Sequence, residues 1–184
     1  MSLKDILKRL SPMRWQRVGK DEPVSIVLLL RQPQVFGTEE LRLAAERAWH
    51  TSFAGDKGSM HFVMRSRRMI LLKAGPHLLS ILCYPEPYIG NRQEHVEWLS
   101  QESQRRAWLE HTGWAAVDYM NQDVDVDLAY CVLAKLVAEM LDENCTGMFM
   151  TRKRTMVPND ESLIGTLQTM ASARESGVTP TTAS

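Results

Sequence analysis

The stretch Val24-Ser25-Ile26-Val27-Leu28-Leu29-Leu30 is apolar at nearly every position and is stopped by Arg31-Gln32-Pro33. Alternate side chains of a strand point to opposite sides of a sheet, so a run that is apolar at both odd and even positions is typical of a strand covered on both faces. The segment therefore predicts a buried strand, and we expect the core of the protein to start there.

The chain on either side of this strand alternates between helical and extended patterns. Thr38 can cap a helix whose first turn is acidic, and Asn91 with Glu94 resembles a capping box at the start of a second, longer helix. The patterns predict the following elements: helices at 38 to about 50, 91 to about 112, 128–141 and around 163–170, and strands at 24–30, 60–65, 69–74, 77–84, 114–120, 146–150 and near 156–157.

Three consecutive short strands with tight connections predict an antiparallel meander, whereas the later strands are linked by helices. We therefore expect an α+β fold with a single mixed, largely antiparallel sheet and helices mainly on one face. One domain is predicted over residues 23–170. Residues 1–22 are predicted to form an amphipathic helix, with a stripe of Leu3, Ile6, Leu7 and Leu10, and a linker, and residues 171–184 a disordered tail.

Composition excludes several classes of function. The chain has 22 Lys and Arg against 22 Asp and Glu, so no net charge draws it towards nucleic acid. Cys83, Cys131 and Cys145 are widely spaced and odd in number, which favours free thiols in a reducing compartment. No segment has the 18 to 20 consecutive apolar residues of a membrane span. We expect a cytoplasmic protein of bacterial type.

Catalytic signatures are weak. No histidine stands in a metal-binding spacing and no glycine-rich phosphate loop is present, so we predict neither a metal nor a cofactor. The strongest enzyme hypothesis joins His111 to Glu110 or Asp118, because a carboxylate beside an imidazole can act as a general base near neutral pH. No serine or cysteine in a nucleophile-elbow context accompanies them.

Three alternating carboxylates, Asp123, Asp125 and Asp127, could hold a hard cation. The segment lacks the glycine and the distal glutamate of a calcium loop. Helix capping by Asp125 or Asp127 explains the same residues more simply.

Two basic clusters lie at the ends of predicted strands. If both strand ends faced the same way, they would form a positive edge able to bind an anionic polymer or an acidic protein surface. Exposed charge that keeps hairpin turns soluble is the alternative. The candidate binding residues of this edge are Arg65, Arg67, Arg68, Arg152, Lys153 and Arg154.

The connector Tyr84-Pro85-Glu86-Pro87-Tyr88 cannot form a helix or a central strand, because each proline fixes its own φ and restricts the residue before it. Tyr84 and Tyr88 are therefore candidate contacts at a pocket rim or with a peptide. Trp98 and Trp108 project about 80° apart on the predicted long helix, so one of them could mark an interface.

The combination of these segments resembles a family of bacterial proteins classed only as a domain of unknown function. The matching segments are SIVLLLRQP (25–33), AAERAW (44–49), HFV (61–63), MILLKAGPHLLSIL (69–82), PEPY (85–88), LEHTGWAAVD (109–118) and LAKLVAEMLDENC (133–145). The resemblance spans roughly residues 24–168. It implies a single bacterial α+β domain and brings no catalytic residue, cofactor or substrate.

Taken together, the patterns favour a non-catalytic cytoplasmic domain that recognises another protein, such as an adaptor, an immunity-like protein or a regulator. An enzyme that uses His111 and a domain that binds an anionic polymer are the alternatives. The sequence leaves the partner and the oligomeric state open.

Overall fold

The computed structural model describes residues 23–90, 92–121 and 125–172. Strand β1 (Val24–Leu30) lies inside a seven-stranded sheet, between two antiparallel neighbours. All seven of its residues are buried. The prediction of a strand covered on both faces is confirmed, with the predicted boundaries.

The other strands form one antiparallel sheet around β1. The order across the sheet is β2-β3-β4-β5-β1-β6-β7, so the predicted meander is confirmed as one half of the sheet. The α+β class is also confirmed, and each described pair of neighbouring strands is antiparallel. The remaining strands are β2 (His61–Ser66), β3 (Met69–Ala74), β4 (His77–Tyr84), β5 (Gly113–Tyr119), β6 (Cys145–Met150) and β7 (Thr155–Pro158).

Three helices cover one face of the sheet: α1 (Thr38–Trp49), α4 (Val126–Met140) and α5 (Glu161–Ser172). Helix α4 packs on β1 and β5 and is the most buried of the described helices, as its nearly uniform apolar composition predicted. Its N-terminus is capped by Asp125, whose carboxylate accepts hydrogen bonds from the backbone N–H groups of Asp127 and Leu128. We call this side the three-helix face.

The opposite side, which we call the second face, carries a smaller apolar cluster. The short helix α2 (Gln93–Val96), helix α3 (Glu102–Glu110) and the connector after β4 cover it. Trp108 of α3 is 3% exposed and packs on Phe149 of β6. The strand residues of this cluster are Val27, Leu29, Ala116, Phe149 and Met156.

The prediction of one long helix from Asn91 to about Thr112 is wrong over its first half. The described chain forms two helices, separated at residues 97–101, and Asn91 lies outside the described residues. At the break the guanidinium of Arg105 donates to the backbone carbonyl of Leu99 at 2.7 Å, and the backbone N–H of Gln101 donates to the Gln104 side chain at 3.3 Å. These bonds satisfy backbone groups that a continuous helix would pair internally. The break turns Leu99 towards the second face.

Gly113 follows α3 and begins β5. Its role is steric. A Cβ atom at this position would lie 2.8 Å from Cα of Pro33 and 3.1 Å from the carbonyl oxygen of Tyr84. Both are backbone atoms that cannot shift independently of their strands or turns.

We expect Gly113→Ala to lower the free energy of unfolding by about 1–3 kcal/mol, the usual cost of overpacking a core. Urea unfolding at neutral pH measures the change. Gly165→Ala is the matched control, because no heavy atom lies within 4 Å of its added Cβ and alanine favours the helix. Equal unfolding midpoints for the two variants would contradict the steric role of Gly113.

Candidate functional site

The two basic clusters do not form a common edge. The turn between β2 and β3 follows a strand parallel to β1, whereas the turn between β6 and β7 follows a strand antiparallel to it, so the two turns lie at opposite ends of the sheet. They are also four interstrand steps apart, about 19 Å at the usual spacing. The condition for a continuous positive edge is therefore not met.

The second basic cluster is partly occupied by local contacts. The ammonium of Lys153 lies 3.0 Å from the carboxylate of Asp127 and above the ring of Tyr130. The backbone N–H of Arg152 donates to the Tyr130 hydroxyl at 2.9 Å. Arg154, which has a positive φ of 48°, instead lines a cleft on the second face.

The first cluster stays at the hairpin turn. Arg65, Arg67 and Arg68 are exposed, and Arg67 has the positive φ that a two-residue hairpin turn requires. The guanidinium of Arg65 reaches the carbonyl of Phe36 at 3.4 Å. The hairpin turn alone therefore explains the presence of these three arginines.

The two tyrosines of the connector pack inward on the second face. The ring of Tyr84 stacks on Trp114 with 4.3 Å between centroids. Tyr88 meets Trp114 edge to face and also contacts Phe149. Both tyrosines therefore support an aromatic layer, and Ile89, directly after Tyr88, reaches the cleft itself.

His111 does not meet Asp118. Both lie on the second face, but His111 precedes β5 and Asp118 lies near its far end, so they are roughly 20 Å apart in an extended strand. Glu110 turns away and forms an ion pair with Arg31 at 3.4 Å. The geometry does not assemble a general base from these three residues.

His111 instead fastens α3 to the connector. It is fully buried, its Nε2 accepts a hydrogen bond from the backbone N–H of Tyr88 at 3.0 Å, and its Nδ1 donates to the carbonyl of Trp108. Because both ring nitrogens are used, the ring is neutral with the proton on Nδ1. Burial lowers the pKa of His111 to about 4, and the nearby charge of Arg92 acts in the same direction.

A buried polar row crosses the second face where Asp118 lies. Ser80, Asp118 and Ser25 are direct partners on the adjacent strands β4, β5 and β1. The Ser80 hydroxyl donates to the Asp118 carboxyl at 3.3 Å, and Ser25 also forms a hydrogen bond with it. Burial raises the pKa of Asp118 to about 6, while the two hydroxyls lower it in part. We call these residues the polar row.

The second face also carries a cleft beside α2 and α3, with a volume of about 250 Å³. Its walls are mostly apolar or aromatic, and Arg154 supplies a cationic group. Trp98, which follows α2, is 66% exposed, an unusual value for so large an apolar side chain. We call it the aromatic cleft, and its lining residues are Ile89, His95, Trp98, Leu99, Trp108, Phe149 and Arg154.

Sequence reasoning found part of this cleft. One of Trp98 and Trp108 was predicted to lie outside the core, and Trp98 is the exposed one. On a continuous helix the two side chains would not have shared a cleft. The contributions of Ile89, Leu99 and Phe149 were missed, because each belongs to a different element and only the packing of α2 and α3 on the sheet brings them together.

The buried carboxyl of Asp118 should make the stability of the protein vary with pH. Its pKa is raised from 3.8 to about 6 on folding, so its neutral form stabilises the protein below about pH 4 and this contribution is lost as the pH rises through 6. Asp118→Asn should therefore raise the free energy of unfolding by up to about 3 kcal/mol at pH 7, and by little at pH 4. Chemical unfolding of both proteins across this range measures the difference. Asp127→Asn, which removes an exposed carboxylate, should not reproduce the gain.

His111 should affect the pH dependence of stability in the direction opposite to that of Asp118. Because its pKa is lowered on folding, its contribution is fully present above about pH 6.5 and is lost as the pH falls towards 4. His111→Phe leaves the Tyr88 N–H and the Trp108 carbonyl unsatisfied, so we expect a loss of about 2–4 kcal/mol at pH 7. The loss should be smaller at pH 4.5. A loss that is the same at both pH values would contradict a buried neutral ring.

Among the described residues, no helix is long and apolar enough to cross a bilayer and no group of three potential metal ligands converges. Comparison of the chain with family models, with curated proteins and with solved structures found no match. The resemblance to a bacterial domain of unknown function therefore stays a prediction, and the candidate site must be interpreted from its own geometry.

Proposed function

We propose that this protein is a non-catalytic interaction domain that binds a segment of another protein in the aromatic cleft. The observation that carries the proposal is the exposure of Trp98 at a cleft whose walls include the buried side chains of Trp108 and Phe149. A large aromatic side chain in water gains free energy when a partner covers it, and tryptophan is enriched among the residues that dominate binding energy.

The charge of the cleft favours a partner of particular composition. Arg154 is the charged residue among the cleft's lining side chains, and it is exposed. A partner segment should therefore present one large apolar side chain to the aromatic walls and a carboxylate to Arg154. Such a carboxylate can form a charge-assisted hydrogen bond with the guanidinium.

We propose that the protein works in the cytoplasm, a reducing compartment, and the state of its buried cysteines supports this proposal. Cys131 and Cys145 are buried and form no disulfide, and burial raises the pKa of the Cys145 thiol to about 12. A thiol held in its neutral form is a poor nucleophile. Both cysteines act as small core residues.

Selection of peptides from a random display library on the purified full chain tests the proposal. We expect enriched peptides to combine an aromatic or large aliphatic residue with a nearby Asp or Glu. Trp98→Ala should weaken the binding of these peptides at least tenfold, in line with the loss of a dominant contact of about 2 kcal/mol. Isothermal titration calorimetry measures the change.

Arg154→Asn tests the charge, because asparagine tolerates the positive φ at this position. It should weaken only the acidic peptides. Ile164→Ala is the control, since Ile164 is 53% exposed on α5, at the three-helix face. The proposal fails if no peptide is enriched, or if the enriched peptides bind the Trp98→Ala variant as tightly as the wild type.

A further inference from the structure

The connector and α2 are fastened to the end of α3 by hydrogen bonds to backbone atoms. The backbone N–H of Tyr88 donates to Nε2 of His111 at 3.0 Å. The guanidinium of Arg92 donates to the carbonyl of Leu109 at 2.6 Å and also to the carbonyl of His111. The indole N–H of Trp108 donates to the carbonyl of Arg92 at 3.1 Å. We call this set of bonds the His111 junction.

The segment held by this junction has little regular structure of its own. Residues 85–90 belong to no strand or helix, and α2 has four residues. Pro85 and Pro87 have no backbone N–H to donate. Segments with few backbone hydrogen bonds open at a lower free-energy cost than the strands and helices of a core. The connector and α2 can therefore open while the sheet stays folded.

One bond of the junction depends on the protonation state of His111. Its Nδ1 donates to the carbonyl of Trp108, so Nε2 carries no proton and accepts from Tyr88. A proton on Nε2 makes both ring nitrogens donors. The ring N–H and the Tyr88 N–H would then face each other, so the protonated ring is compatible only with an open segment.

The charges around the ring also disfavour its protonated form. Among the described residues, Arg92 is the charged group close enough to act on His111, and it repels an imidazolium. The carboxylate of Glu110 is turned to Arg31, 3.4 Å away, and Glu86 of the connector is exposed. In the described part of the chain, no carboxylate therefore compensates the charge of a protonated His111.

We propose that the connector and α2 form an acid-sensitive flap, in which protonation of His111 breaks its bond with Tyr88 and releases the segment from α3. In the closed form, the ring of Tyr88 meets Trp114 edge to face and contacts Phe149, so the release uncovers these side chains. The release needs no partner, so the proposal does not depend on the proposed function.

The pKa of His111 sets the direction and the size of the effect. Burial lowers this pKa from 6.5 to about 4 in the closed form, whereas the ring meets water in the open form and its pKa returns to about 6.5. The contribution of His111 to closure is therefore fully present above about pH 6.5 and is lost as the pH falls towards 4. Between pH 7.5 and pH 5, the equilibrium constant for opening should rise about 25-fold.

Native-state hydrogen exchange of the full chain, measured by NMR at pH 7.5 and pH 5, tests the proposal. The exchange rate of the Tyr88 amide, divided by its intrinsic rate at each pH, gives the equilibrium constant for opening. We expect this constant to rise about 25-fold at pH 5. The amides of β1, which is paired on both sides, are the internal reference. They should change only about threefold, because unfolding of the sheet frees both His111 and Asp118, whose pKa shifts act in opposite directions.

Two variants separate His111 from other titrating groups. His111→Gln keeps an acceptor for the Tyr88 N–H but takes up no proton near pH 5, so its opening constant should be the same at both pH values. His77→Gln replaces a half-buried histidine that is hydrogen-bonded to Tyr119 at the opposite end of the sheet, and it should keep the wild-type response. Protection of the β1 amides shows whether each variant is folded, and the wild-type measurement stands without either variant.

Three results would overturn the proposal. The first is an opening constant for Tyr88 that is the same at pH 7.5 and pH 5. The second is a rise that the amides of β1 share in full, because the whole protein rather than the flap would then open. The third is a wild-type response in folded His111→Gln, which would assign the release to another group.

Discussion

Burial of β1 on both of its sides is the constraint on which the rest of the structure depends. Every residue of the strand is shielded from water, so the chain must supply a covering layer for each face of the sheet. Burial of each large apolar side chain stabilises the folded protein by roughly 1.5–3 kcal/mol. A central strand contributes such side chains to both faces of the sheet. Helices α1, α4 and α5 supply one layer, and α2, α3 and the connector supply the other.

The second layer is the thinner of the two, and its irregularity creates the cleft. Helix α2 has four residues, and the chain turns before α3 begins. The carbonyls at the end of α3 are held by Arg92, whose guanidinium donates to Leu109 and His111. The Trp108 indole N–H donates back to the carbonyl of Arg92 at 3.1 Å. These contacts fix one wall of the cleft, whereas Trp98 on the other side is 66% exposed.

Sequence patterns predicted the elements that depend on local periodicity. β1, β3 and β4 were placed with their observed boundaries, because each is a short apolar run between clear turn residues. The break between α2 and α3 was missed, since no glycine or proline marks residues 97–101. It arises because Leu99 packs on the second face, which is a tertiary effect. Strand order was also beyond the sequence, as pairing of β1 with β5 and β6 joins residues more than 80 positions apart.

The same long separation in sequence explains why the sequence predicted only some of the residues of the candidate site. Basic residues and tyrosines were identified by type, but their grouping depended on which strand ends meet. The antiparallel order sends Arg67 and Arg154 to opposite ends of the sheet, whereas Arg154 and Trp98 meet in one cleft. His111 was identified as a possible base, and its burial between two backbone groups makes it a structural residue instead.

The polar row has a consequence for how the strands find their alignment. A shift of one residue along β5 would turn Asp118 towards the three-helix face, among aliphatic side chains with no hydroxyl beside it. An unpartnered carboxyl in that setting costs several kcal/mol, so misaligned sheets are strongly disfavoured. Ser25, Ser80 and Asp118 therefore favour a single register between β1, β4 and β5, three strands that come from distant parts of the chain.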